Sequence, residues 1–417
     1  MEKNLVSKIS CTLALLLSLT SHRVMALDWN ELKSAALSSA PALKSAKADL
    51  ESSEAGVESA KASFYPRVNS SLTASRAVDT DINKSSNSYA AALSLEQSIY
   101  ASGRDQAQLS AAKASQNATT ATLRASSVAL RASLRKAWNN ALYLQDLAKI
   151  TLRNITRRES NYQIVSLRYS GGRENKGSLL KTEATTLQSK LTSEQAASRA
   201  ILAKGDLAVI AGRDVADGET LTGDLKSTET VVSKTSNQNP TITASELKLT
   251  AAEESLKSAK ARYLPEVSLS AAARKSATPD LPLHDPVYSA GLTLTVPLFN
   301  PATSADVRSA AARTTSAAVA LAQAKTTQDQ KIKTARSEYE FSVKNLEISK
   351  KSYEASKLQA EVSRQRYTLG LMGFQDWDAF ENDFIRSELD VLQSEKDVAD
   401  TLATYQEAIG MTLEEGP

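Results

Sequence analysis

Few side chains in this sequence are equipped for catalysis, and those few stand apart. His284 is the only histidine beyond the first 26 residues, and the single cysteine is Cys11, near the start of the chain. With no thiol or second imidazole beside His284, the sequence offers no zinc or copper cage. The run Gly172 to Gly177 followed by Ser178 imitates a phosphate-binding loop, but it lacks the lysine after its last glycine and follows no strand. Glu253 and Glu254 read as solvated helix acids. Arg153, Arg157 and Arg158 read as a wet helix face rather than a nucleic-acid contact, and a formal net charge of only +3 gives polyanions little to hold. Trp138 and Trp377 read as packing residues. The expectation is therefore a protein that is not an enzyme and needs no metal or other cofactor.

With catalysis set aside, the architecture becomes the source of function. Hydrophobic residues reach 41%, but aromatics only 5%, and much of the apolar content is alanine. That balance favours long helices with narrow apolar stripes over a thick core. SAKASFYPRVNSS (Ser59 to Ser71) returns as SAKARYLPEVSLS (Ser258 to Ser270), 199 residues later. Pro41 and Pro240, and Glu54 and Glu253, keep that register. Arg168-Tyr169 pairs with Arg366-Tyr367, Gly172 with Gly370, and Ala211-Gly212 with Ile409-Gly410, all 198 apart. The chain is one unit of nearly 200 residues written twice, which predicts pseudo-two-fold symmetry.

Each copy begins with a helix (28 to 63 in the first, broken at Pro41) and then changes period at a proline. After Pro66, Val68, Leu72 and Ala74 alternate with polar residues. Beyond a polar loop around Asp79 to Ser88, Tyr89, Ala91, Leu93, Leu95 and Ile99 share a face. The second copy repeats this with Val267, Leu269, Ala271 and Ala273, then Tyr288, Ala290, Leu292, Leu294, Val296 and Leu298. About ten residues of alternation with aromatics near the ends is what a tilted transmembrane β-strand requires. Two isolated hairpins cannot pair their own edges in lipid, so closure requires other chains.

Helical stretches of unusual length follow, 104 to 168 and 302 to 369, without proline and nearly without glycine. Each would span about 100 Å. Both reach a turn, Tyr169-Ser170-Gly171-Gly172 and Tyr367-Thr368-Leu369-Gly370, and both are followed by a returning helix, about 178 to 211 and 375 to 409. At the N-terminus, Lys3, Lys8 and an apolar run from Leu13 to Leu19 read as a secretory signal peptide ending at Ala26. The expected organisation is a signal peptide (1–26), a first repeat (27–212), an irregular linker around the middle of the helices (213–239), a second repeat (240–412) and a short tail (413–417).

FYPRVNSSL and YLPEVSLSA entering strands, TVPLFNPATSADVRSA leaving one for a long helix, and the RYSGG and RYTLG turns together resemble the TolC-type outer-membrane efflux proteins of Gram-negative bacteria. The resemblance covers nearly the whole chain beyond residue 26. It implies a mainly α fold with transmembrane β: a duplicated α-β-β-α unit whose homotrimer forms a twelve-stranded barrel in the outer membrane on a long periplasmic helical barrel. It implies a passive exit duct, embedded in outer-membrane lipid, that meets a periplasmic adaptor and an inner-membrane pump of RND or ABC type. A duct for type I protein secretion and a pore-less periplasmic coiled-coil scaffold are the alternatives. The resemblance also assigns the helical tips: Tyr367, Asp376 and Asp378 to the pore entrance, and Tyr169, Gly172, Gly370, Leu371 and Met372 to adaptor contact. Met372 stands where the family's tip arginine would be and Ala379 where its second aspartate would be, so the usual ionic latch is incomplete.

Overall fold

The computed structural model describes residues 26–79, 84–215, 219–225, 239–277 and 285–415. The expected signal peptide, apart from Ala26, lies outside these residues, as do His284 and most of the proline-bearing loop before Val287. The chain runs β1 (Ala26–Leu27), α1 (Trp29–Ser39), α2 (Pro41–Lys61), a 3-10 turn (Ala62–Phe64), β2 (Arg67–Asp79), β3 (Lys84–Tyr100), α3 (Arg104–Ser170) and α4 (Lys176–Ala211). It continues with β4 (Thr220–Leu221), α5 (Pro240–Ala261), β5 (Glu266–Ala277), β6 (Val287–Thr295), α6 (Pro301–Thr368) and α7 (Phe374–Ala408). From α2 to α4 the helices and long strands of the first copy recur in the second as α5, β5, β6, α6 and α7; the 3-10 turn and β4 have no counterpart among the described residues.

The helices start where the sequence supplies caps. Asn175, Asn239 and Asn300 accept from the backbone N–H of Ser178, Thr241 and Ala302, and Pro240 and Pro301 occupy the first helical position after their asparagines. The long helices are held mainly from the side. α3 packs on α4 and α7, and α6 packs on α7, so the long helices form a row in the order α4, α3, α7, α6. Near the sheet, α2 packs on α3, and α5 sits between α3 and α6. The largest core is at mid-height, where Leu32, Leu134, Trp138, Leu207, Leu221 and Leu413 converge. Trp29 meets Trp138 edge-on at 6.0 Å.

This core bears on two expectations. The described part of the 213–239 segment is not wholly irregular: β4 pairs in parallel with β1, and Gln145 brackets Leu221 by bonding both its N–H and its carbonyl. Leu413, the first residue of the expected tail, is fully buried, because its apolar side chain completes the mid-height cluster.

The short helices are seated end-on above the returning ones. α4 ends at Gly212 (φ +65°) against the Ser39 carbonyl and Pro41, and α7 ends at Gly410 (φ +79°) against Asn239 and Pro240. A Cβ at Gly212 would lie 2.8 Å from the Ser39 carbonyl carbon and 3.1 Å from Pro41 Cδ. The backbone of one element thus touches the backbone of the next, and no side chain fits between them.

The strands form one antiparallel sheet in the order β2-β3-β5-β6. Its register collects the apolar residues on one side: Leu72 opposite Ala91, Val68 opposite Leu95, Leu95 opposite Ala271, Leu269 opposite Leu292. The other side carries Asn69, Ser71, Thr73, Ser94, Ser270, Gly291 and Thr293. Three details differ from the sequence reading. Lys84 to Ser88, expected as loop, continues the ladder to the pair Asp79 and Lys84, because backbone pairing does not need an apolar face. A bulge falls between Ser98 and Tyr100, so Tyr100 rather than Ile99 stands opposite Val267. Val296 lies just past the end of β6, next to Pro297, which has no N–H to donate to a ladder.

Gly212→Ala should destabilise the fold by at least ~2 kcal/mol through left-handed strain plus the clash at Ser39. Gly172→Ala, also at positive φ but with open space around it, should cost only ~1–2 kcal/mol. Denaturant unfolding of the two variants tests the order.

Candidate functional site

The tips of the two long helical hairpins carry most of the side chains singled out from the sequence. Both turns close alike: the N–H of Gly172 reaches the Tyr169 carbonyl and that of Arg173 the Arg168 carbonyl, and Gly370 and Leu371 repeat this onto Tyr367 and Arg366. This paired closure satisfies the last carbonyls of each helix. Around these equivalent backbones the side chains diverge. Tyr169 is part-exposed, whereas Tyr367 is buried.

Tyr367 stacks on Trp377 with ring centroids 4.3 Å apart and planes 4° from parallel, and Phe374 meets both rings edge-on. Val165 from α3 completes this cluster, and Met372 packs against it. The Arg168 guanidinium sits 4.6 Å above the Tyr367 ring and donates to the Tyr367 carbonyl at 2.6 Å. The Tyr367 hydroxyl donates to Glu174 Oε2 at 2.8 Å. One residue of the second hairpin is therefore gripped from both sides by the first. Burial, followed by the bond to Glu174, pushes the Tyr367 hydroxyl far above its ordinary pKa. Burial alone would raise the Glu174 carboxyl, but the Asn175 N–H, the Tyr367 hydroxyl and the Ser178 side chain, with Arg168 nearby, together outweigh it and hold Glu174 below its usual value.

Further from the tip, α3 and α7 are joined by an antiparallel ladder of charge. Arg157 forms a two-pronged pair with Glu381 (2.7 and 3.0 Å), and Asn161 donates to the same carboxylate at 3.0 Å. Glu381 is 1% exposed. Asp378 binds Lys181 of α4 at 2.8 Å and lies 3.8 Å from Arg158. Arg158 also donates to Asn382, and Arg153 pairs with Glu388 at 3.0 Å. The same seam continues upward through Asn139 with Asp400 and Arg131 with Gln406. Arg157 and Arg158 are thus not part of a wet face, whereas Arg153 stays largely solvated beside Glu388. Their partners lie on α7, more than 220 residues away in the chain, a distance across which single-helix spacing carries no signal. The heptad separation of Glu381 and Glu388 is the trace this seam leaves in sequence.

The proposed entrance residues therefore fall into two groups. Tyr367 and Asp378 are buried and engaged within the chain, whereas Asp376 is exposed in the first turn of α7. Of the adaptor-contact candidates, Leu371 is 74% exposed, as is its neighbour Leu369, while Met372 is half-covered by the aromatic cluster. Gly172 and Gly370 hold the two turns at φ +70° and +77°. Among the membrane-strand candidates, Val68, Leu72, Leu93, Leu292 and Leu294 are exposed on the sheet's apolar side, and Leu95 and Leu269 are half-buried there. Val296 is exposed just beyond the strand. Among the described residues no helix is long and apolar enough to cross a membrane, and no group of histidine, cysteine or acid side chains is arranged to hold a metal.

Arg157→Ala should leave Glu381 charged and buried without its partner, lowering the local stability of α7 by on the order of 3 kcal/mol. Arg153→Ala, at a largely solvated pair, should cost less than about 1 kcal/mol. Native-state hydrogen exchange across residues 378 to 388 reads both. The depressed Glu174 carboxyl means that its link to Tyr367 is fully formed above the ordinary glutamate pKa of ~4.3 and fades as pH falls through the lower folded value. Exchange protection of the tip amides, corrected for intrinsic rate, should drop below that pH, and Glu174→Gln should remove the step.

Comparison with known proteins agrees with this geometry. A family model described as outer membrane efflux protein matches the chain twice, over residues 32–213 and 231–411. No curated protein sequence matches. The outer-membrane channel OprN superposes with a TM-score of 0.78 at 21% identity, covering 92% of this chain and 90% of its own. The CmeC outer membrane channel of Campylobacter jejuni gives 0.81 at 18% identity, covering 91% and 85%. The MtrE outer membrane channel of Neisseria gonorrhoeae, solved in an open state, gives 0.76 at 21%, covering 94% and 93%. At these identities the solved structures establish the fold, while the twofold match of the family model spans most of the sequence and reproduces its duplication. The chain belongs to the outer membrane efflux protein family.

Proposed function

We propose that this chain is one protomer of a trimeric, passive exit duct, conducting small molecules across the outer membrane from a periplasmic adaptor and an inner-membrane pump of RND or ABC type. The observation that carries this reading is a pair of stacked layers, each open at two edges. The sheet ends at β2 and β6, and the helical row ends at α4 and α6. The uncovered large apolar side chains of the long helices lie mostly on those two end helices: Leu180, Leu187, Leu202 and Val209 on α4, and Phe341, Ile348 and Leu358 on α6. Copies joined edge to edge close both layers at once, and three copies give twelve strands, within the range of known barrels.

In such a duct the polar face of Asn, Ser, Thr and Gly lines the barrel, the apolar face meets lipid, and the tips form the inner mouth. Exposed Asp376 repeats around that mouth as a ring of carboxylates, which favours cations through the summed field of the ring. The grip of Arg168 and Glu174 on Tyr367, with the Lys181 pair to Asp378, ties the second hairpin to the first and keeps the mouth narrow. The protein supplies no energy; it opens, closes and conducts.

Planar-bilayer conductance of the purified protein, with capture of cross-linked envelope partners, tests the proposal. The expected result is a cation-preferring pore whose preference weakens in Asp376→Asn, together with an adaptor and a pump in the captured material. Capture of a peptide-exporting ATP-driven transporter would move the duct to type I secretion. A soluble periplasmic protein that forms no pore would be a scaffold and would end the duct reading.

A further inference from the structure

The apolar side of the sheet carries two charged side chains among its described positions, and both are cations near the same end. Register places Lys275 beside Ala91 and, through it, Leu72, and places Arg76 beside Asn87, four residues further along β3. That is the end remote from the long helices, where the hairpin loops lie. From Val267, near the base of the apolar band, Lys275 is eight residues along β5. At ~3.3 Å per residue and a strand tilt near 40°, this is roughly 20 Å of height, close to the upper limit of a band about 25 Å tall. A cation on a lipid-facing strand is most costly at the bilayer midplane and nearly free at the interface, where its stem covers apolar surface and its ammonium reaches the headgroups.

The surroundings of Lys275 are shaped. Ala74, Ala91 and Ala277 form a low floor bordered by Leu72, Tyr89 and Lys275, a shallow open groove of about 330 Å³ that runs from the Lys275 row toward the hairpin loops. Lys275 and Tyr89 are exposed, and no acid shares this face among the described residues. An ammonium at headgroup height, with a shallow groove on its loop side and the apolar band of Leu72, Leu93 and Leu269 running down from it, matches an amphiphile with a phosphate above its acyl chains. The neighbouring cation Arg274 points to the opposite, polar side, which makes it an internal control.

We propose that this face is a binding site for a phosphorylated glycolipid of the outer leaflet, with a phosphate between Lys275 and the loop end over the Ala74 and Ala277 floor, Arg76 on the headgroup side, and the acyl chains running down from Lys275 along Leu72, Leu93 and Leu269. The inference rests on the apolar face meeting lipid, as proposed above. It is tested with purified protein in nanodiscs containing a bis-phosphorylated acylated disaccharide, its dephosphorylated form, or phosphatidylglycerol, with retained lipid counted by native mass spectrometry.

Wild-type protein should retain the phosphorylated glycolipid over both other lipids. Lys275→Ala should lower retention about fivefold, the worth of one lysine at an anionic surface. Lys275→Arg should restore it, and Arg274→Ala should leave it unchanged. Equal retention by Lys275→Ala, or of the dephosphorylated lipid, overturns the phosphate site, and equal retention of phosphatidylglycerol overturns the assignment to the glycolipid. Conductance of the same preparation separates the two levels: a pore with no lysine-dependent lipid refutes the site alone, whereas a protein that neither inserts nor conducts refutes the duct and the site together.

Discussion

Everything in this molecule answers to one constraint: backbone N–H and C=O groups cannot be left unpaired in hydrocarbon. The four-stranded sheet pairs its inner strands and leaves Arg67–Asp79 and Val287–Thr295 as bare edges. Water would satisfy such edges and lipid would not. A sheet with one apolar and one polar side therefore has no stable place in a membrane until another copy joins each edge. The helical row below obeys a softer form of the same rule. Its end helices hold uncovered leucines and a phenylalanine, whose burial against a neighbour is worth roughly 1.5–3 kcal/mol for each fully covered side chain. Edge pairing in the sheet and apolar burial in the helices thus drive the same closure.

Duplication explains why the chain's two edges are complementary, each edge element being the counterpart of an inner element of the other copy, and divergence distinguishes its two tips. The paired glycines at 212 and 410 seat α2 on α4 and α5 on α7 in the same way, and the two tip turns share one hydrogen-bond pattern. Side chains then break the symmetry. Trp377 stacks on Tyr367, while the position 198 residues earlier than Trp377 is Leu179, which packs on the edge of the same cluster instead. The second hairpin thereby acquires an aromatic cluster that the first hairpin grips.

The repeat, the strand faces and the long helices were legible because each is written locally. A two-residue or seven-residue period lies within one element, and the echo of SAKASFYP in SAKARYLP needs only self-comparison. Arg157 was misread because its meaning is not local: i,i+4 spacing with Arg153 describes a surface stripe until α7 is laid against it. Asp378 and Asp376 are likewise equivalent acids in sequence, two positions apart. Two positions on a helix are about 200° of rotation, enough to send one carboxylate to Lys181 and leave the other in water. Leu413 shows the opposite case, a short apolar residue near a terminus that the mid-height core recruits.

The seam between α3 and α7 has a physical character that follows from its chemistry. Apolar packing tolerates small sliding, since neighbouring methylenes are interchangeable. A two-pronged Arg157 to Glu381 pair supported by Asn161 has one good geometry, and Glu381 is too buried for water to replace its partners. The α6–α7 contact is built differently, from hydroxyl pairs such as Ser342 with Thr401 and Ser349 with Ser394. Hydroxyls rotate and exchange partners at little cost. A second hairpin that shifts against the first must therefore break charge-assisted bonds, whereas adjustment within that hairpin reorients hydroxyls and slides the Tyr353–Phe384 and Tyr367–Trp377 ring stacks. Charge-assisted bonds therefore fix the register between the hairpins, while hydroxyl pairs and ring stacks join the two helices of the second one.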